Sequence, residues 1–136
     1  MYERVRQEIE LLKNKYPDLV HGEQLSWVLI PKYKLPAGRF NKGGTKLLFV
    51  LPAGYPNTGI DNFFVDADLR LHDGGNPSGF NIGSNSSSGA APIAGDWAWF
   101  SWHPSEWRPA ATVEAGDNLL TFLHGVNLCL QGQETT

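Results

Sequence analysis

Four strand-like runs follow one another between Leu25 and Leu71, with only turn-forming residues between them. They are "LSWVLIPKYKLP" (Leu25 to Pro36), "TKLLFVLP" (Thr45 to Pro52), "IDNFFVD" (Ile60 to Asp66) and "LRL" (Leu69 to Leu71). Each is rich in β-branched, aromatic or other large apolar residues. The separators "AGRFNKGG" and "AGYPNTG" have turn composition. Strand centres about 7 to 18 residues apart leave no room for crossover helices, so the runs predict an antiparallel meander and exclude βαβ units. Pro31 cannot donate to a sheet ladder, so the first run is expected to lie at an edge or to carry a bulge.

Helical patterns flank the strands. Tyr2, Val5, Ile9, Leu12 and Tyr16 recur at helical steps with charged residues between them, and Pro17 ends the pattern. The stripe is expected to pack on the sheet. Near the other end, Asp117 is placed to cap a helix that aligns Leu119, Phe122, Leu123, Val126 and Leu130, with Gly125 a weak point. Between strands and second helix runs "NPSGFNIGSNSSSGAAPIAG", residues 76–95, with little to bury. It is expected to be a long, flexible surface loop, of a kind that often carries function. The fold class is therefore α+β, and 1–136 is expected to form a single domain.

The 136 residues are 41% apolar and 18% charged, an ordinary globular balance, and the net charge is −3. No Lys/Arg cluster offers a nucleic-acid backbone a partner. No apolar run approaches the roughly 18 residues of a membrane span. The single cysteine, Cys129, cannot form an internal disulfide, and the charged start "MYERVRQEIE" lacks a signal core. A cytoplasmic location is expected. His21, His72 and His124 are scattered without ligand spacing, so no metal or other cofactor is expected.

Chemistry concentrates in "AWFSWHPSEWRPA" (Ala98 to Ala110). A serine hydroxyl needs a base to become a nucleophile, and Ser101 has His103 two residues away. In extended chain that pair shares a face but stands about 6.6 Å apart, so a bend or an incoming substrate must close the gap. Pro104 biases His103 towards extended geometry. Asp96 is a candidate to orient the histidine. Trp97, Trp99 and Trp107 are expected to form core or the wall of a groove. Cys129, in "VNLCLQG", reads as a small core residue.

"LPAGYPNTGIDNFFVDADLRLHDG" (Leu51 to Gly74), followed by "WFSWH" and "EWRP", resembles the ubiquitin-conjugating enzymes, and in particular family E of their prokaryotic relatives. The resemblance implies an N-terminal helix, a four-stranded antiparallel meander, an active-site loop and a following helix, here in a minimal version. It implies acyl transfer: an adenylating activating enzyme spends ATP on the C-terminal glycine of a ubiquitin-like protein, and the acyl group passes to this carrier and then to an amine. The partners implied are that ubiquitin-like protein, the activating enzyme (through the N-terminal helix) and an isopeptidase of the same pathway. The bacterial setting associates such pathways with antiviral defence.

Two departures matter. Trp107 and Pro109 match the family's Trp-x-Pro marker, yet no cysteine stands in the residues before it. Nor does "HDGGNP" (His72 to Pro77) match the family's His-Pro-Asn motif. Ser101, forming an oxyester with His103 as base, is the expected substitute. Oxyesters react less readily with amines than thioesters, so discharge needs a strong oxyanion site. Asn76, Asn81 or backbone amides of the Gly/Ser-rich loop are the candidate donors. The alternative is a non-catalytic module that binds a ubiquitin-like protein, with Ser101 inert.

Overall fold

The computed structural model describes residues 2–104, 106–109 and 116–132. Helix α1 (Tyr2–Lys15) precedes β1 (Val20–His21), β2 (Trp27–Lys34), β3 (Gly44–Val50) and β4 (Phe63–Asp66). After them come β5 (Phe80–Ile82), β6 (Asn85–Ser86), β7 (Gly89–Ala90), β8 (Trp97–Phe100) and α2 (Leu119–Leu130).

The main sheet has six strands in the order β1-β2-β3-β4-β8-β5, and every paired neighbour is antiparallel. It is larger than the expected four-stranded meander because β1 adds Val20 and His21 beside β2, and for two further reasons. First, the aromatic stretch is itself a strand: Trp97 to Phe100 alternate between the two faces of the sheet, and β8 pairs with β4 from Phe63↔Phe100 to Asp66↔Trp97. Second, the 76–95 segment is not one unbroken loop. It contributes β5 to the sheet edge and folds back as the β6–β7 hairpin. The expected strand at Leu69 to Leu71 reduces to a single bridge between Leu71 and Phe40. The intervening Asp66-to-Leu69 turn leaves it too little length to pair further.

Pro31 sits at a bulge. Ile30 faces Leu47 and Tyr33 faces Thr45, so β2 holds one residue more than β3 between those pairs. On its other side β2 is covered by β1 only at Val28 and Leu29, so the missing N–H breaks no ladder bond there.

The main core lies between one sheet face and the two helices. Val5, Ile9 and Leu12 of α1, with Phe122 and Val126 of α2, share it with Phe49, Phe63 and Phe100 of the sheet. Phe49 packs on Phe122 with ring centroids 5.1 Å apart, and Phe63 stacks on Phe100 at 5.0 Å. Each such side chain contributes about 1.5–3 kcal/mol through burial. The opposite face carries a smaller cluster of Leu48, Phe64 and Trp97, with Trp27 and Trp99 half-buried beside them.

Helix α2 begins one residue later than expected. Asn118 is its N-cap, in extended conformation, and exchanges hydrogen bonds with Thr121 in a capping box. Asp117 instead accepts from the Arg108 N–H at 2.6 Å, which ties the Trp-x-Pro segment to the helix start. Gly125 is a fitted contact. A Cβ there would meet the Trp102 ring at 2.6 Å, so only glycine lets that indole lie against the helix.

Candidate functional site

Ser101 follows β8 directly, so its backbone is set by that strand's pairing with β4 and β5. Its N–H donates to Gly79 O at 2.9 Å, extending the β5–β8 pairing by one step. The next residue is held from the other side: Asn62 N–H donates to Trp102 O at 2.8 Å. Trp102 is 5% exposed, packs edge-on against Phe63 and lies tilted against Phe122. Ser101 and His103, on either side of it, are exposed. A buried indole thus serves as the anchor that turns both flanking polar residues outward.

No hydrogen bond joins Ser101 to His103 among the described residues. The His103 ring instead places Nδ1 3.0 Å from Pro104 O. A carbonyl oxygen only accepts, so this contact puts a proton on Nδ1, and in the neutral ring Nε2 then keeps its lone pair. That is the tautomer a general base needs.

Asp96 stands at the start of β8, five residues before Ser101, about 16 Å away along extended chain. The structure therefore does not bring Asp96 and His103 together. Asp96 lines a broad hollow with Lys42, Lys46, Asp66 and Asp68. There Lys42 donates to Asp66 at 2.8 Å and to Asp68 at 2.6 Å. Burial pulls the Lys42 ammonium down, but the two carboxylates outweigh it and hold the group above its usual value.

The three candidate wall tryptophans divide between two places. Trp97 and Trp99 lie on the smaller cluster's face, with Trp97 Nε1 donating to Ile93 O at 2.8 Å. Trp107 packs against the main core. Its Nε1 donates to Pro56 O at 2.6 Å, its ring lies 5.9 Å from that of Tyr55, and it closes over Gly59. The Trp-x-Pro segment and the Tyr-Pro turn are thus one unit. Cys129 is half-buried on α2 against the main core.

Of the candidate oxyanion donors, Asn76 is exposed, three residues before Gly79. Asn81 sits on β5 opposite Trp99 and spends its amide on Gly79 O at 2.9 Å. Asn62, which sequence reading passed over, is better held. It is 3% exposed and adopts φ +71°, a left-handed conformation that asparagine tolerates better than most residues. Its Nδ2 donates to Ser87 Oγ at 2.8 Å and Ser88 Oγ at 3.1 Å, so it pins the β6–β7 hairpin tip beside the Ser101–Trp102 backbone. The available signal was "DN" interrupting the apolar run from Ile60 to Val65.

Also unforeseen is the buried carboxylate of Glu8. It accepts from Arg4 Nε at 2.9 Å, from the Tyr55 hydroxyl and from Leu119 N–H at 2.8 Å. Burial, then the Glu8 hydrogen bond and charge, push the Tyr55 phenol far above its ordinary value. One side chain therefore locks α1, the Tyr-Pro turn and the start of α2 together around the Trp107 segment.

Among the described residues no cluster of His, Cys, Asp and Glu could hold a metal ion. No helix among them is long and apolar enough to cross a membrane. The model of the family described as prokaryotic E2 family E matches residues 6–133 of the chain. No curated protein and no solved structure matches it significantly.

Proposed function

This chain belongs to prokaryotic E2 family E, and from that premise we propose that it carries the acyl group of a ubiquitin-like protein on Ser101. The family supports a carrier role in ubiquitin-like conjugation, with a ubiquitin-like protein and an activating enzyme as partners in general. The serine is the finer part of the reading. One observation supports it above the others: Ser101 and His103 are both turned outward by the buried Trp102, and His103 presents a free Nε2.

In the proposed step, Nε2 of His103 takes the Ser101 proton as Oγ attacks the adenylated C-terminal carbonyl. An ester bond forms and AMP leaves. An amine then attacks the ester, an amide forms, and the proton returns to Ser101 Oγ. Closing the gap between Ser101 and His103 falls to the incoming acyl group. Asn76 and the second N–H of the Asn81 amide are the side-chain donors near the segment offered to the developing oxyanion, because both N–H groups of Asn62 are committed to Ser87 and Ser88. The activating enzyme meets α1 through its exposed charged face, which carries Glu3, Arg6 and Glu10. We place the protein in the cytoplasm, within a pathway that includes an isopeptidase and serves antiviral defence.

A second reading keeps the family but removes the chemistry: a module that binds the ubiquitin-like protein without loading it. The missing Ser101–His103 hydrogen bond favours it. A loading reaction with ATP, the activating enzyme and the ubiquitin-like protein separates the two. The carrier reading predicts a denaturation-resistant adduct that survives thiol, dissolves in dilute hydroxide and vanishes in Ser101→Ala. A native complex with no covalent product supports the second reading. Loss of the adduct in Cys129→Ala, with Ser101→Ala loaded normally, contradicts the site.

A further inference from the structure

A cleft of about 400 Å³ opens where the end of α1, the end of β2 and the middle of α2 meet. It shares no lining residue with the Ser101 segment. Its walls are the rings of Tyr16 and Tyr33, 6.0 Å apart, with Leu120 and Leu123 from α2. Its polar rim is one-sided: Lys15, Lys34 and His124 stand at it, and no carboxylate lines it. Neither lysine has a carboxylate partner among the described residues. The Lys15 ammonium leans over the aromatic wall, 5.8 Å from the Tyr16 centroid.

Two features make this asymmetry informative. The chain as a whole is acidic, with net charge −3, so a rim with two lysines and no carboxylate goes against its average. And the larger hollow, of about 1190 Å³, mixes both signs: Asp66, Asp68 and Asp96 line it beside its lysines, and Lys42 is held by the first two. Burial holds both phenols above their ordinary values, and Tyr16 adds to the effect on Tyr33, so both hydroxyls stay neutral donors. Apolar walls with a few converging donors and unpaired cations are the composition of a small-ligand site.

We propose that this cleft binds a small amphipathic carboxylate, its anionic end between Lys15 and Lys34 and its apolar body against Tyr16, Tyr33 and Leu123. Lysine heads act here as point charges on flexible stems, so they suit a single carboxylate without demanding bidentate geometry.

The test is an amide-resolved NMR titration with 3-phenylpropionate, run beside 3-phenylpropionamide and 3-phenylpropylamine. The carboxylate is expected to give saturable shifts at Lys34, Leu123 and Asn127, weakening as salt is raised. The neutral amide should bind at least tenfold more weakly, and the amine not at all. Lys15→Gln/Lys34→Gln, at two exposed side chains, should lose at least tenfold in affinity with an otherwise unchanged spectrum. Lys34→Gln alone should lose several-fold, and serves if the double variant is perturbed. Non-saturating shifts at millimolar ligand, equal binding of the amide, or undiminished binding by Lys34→Gln would overturn the proposal.

Discussion

Glu8, in the middle of α1, accepts a hydrogen bond at 2.8 Å from the N–H of Leu119, the first residue of α2. The N-terminal N–H groups of a helix have no partner within it, and its dipole favours negative charge there. Asn118 satisfies one such donor and Glu8, from the far end of the chain, satisfies another. Arg4 and the Tyr55 hydroxyl complete the compensation of a carboxylate that is 1% exposed.

Removing that carboxylate takes one partner from Arg4 and strands the Tyr55 hydroxyl and Leu119 N–H. Glu8→Ala is therefore expected to cost about 3–5 kcal/mol, the usual loss when one partner of a buried pair is deleted. Glu8→Gln keeps an acceptor for Leu119 and should cost less. Urea unfolding midpoints compare them; a loss below about 1 kcal/mol in Glu8→Ala would show that water replaces the network.

Tyr55 sets an alkaline limit. Its phenol ionises near 10 in the unfolded chain and well above that in the fold. The folded chain therefore binds more protons above pH 10, so this contribution is complete below pH 10 and is lost as pH rises past it. In Tyr55→Phe the fall in stability above pH 10 should be shallower, with the remainder from Tyr33 and Tyr16, whose phenols are also raised. An equally steep fall in the variant contradicts the assignment.

Gly125→Ala sets helix propensity against packing. Alanine favours a helix over glycine by about 1 kcal/mol, yet the new methyl would press into the Trp102 ring at 2.6 Å. Overpacking typically costs about 1–3 kcal/mol. A net loss is expected, and it should shrink when Trp102→Phe is introduced as well. A stabilised single variant would show that the indole has room to move.

Much of the architecture was legible because its signals are local. The α1 stripe, the central run around Phe49 and the α2 face from Leu119 to Leu130 each declare a period and a buried side. What stayed hidden depends on pairing between distant segments. Trp97 to Phe100 is a strand because β4 and β5 flank it, and nothing within those residues separates a strand from an aromatic loop. The 76–95 segment reads as loop because its strands are only two or three residues long and bury little. The site divides in the same way. Ser101 and His103 were visible as reactive residue types beside a Trp-x-Pro marker, while Asn62 and Glu8 gain their meaning from hairpin and helix contacts 25 and 111 residues away.

The most direct measurement is mass mapping of the carrier after loading by its activating enzyme with ATP and the ubiquitin-like protein. The serine-carrier account predicts the C-terminal acyl group as an ester on Ser101, released by dilute hydroxide and absent from Ser101→Ala, and far less of it in His103→Gln. An acyl group mapped to Cys129, to a lysine, or to nothing at all, while the activating enzyme itself is charged, would contradict it.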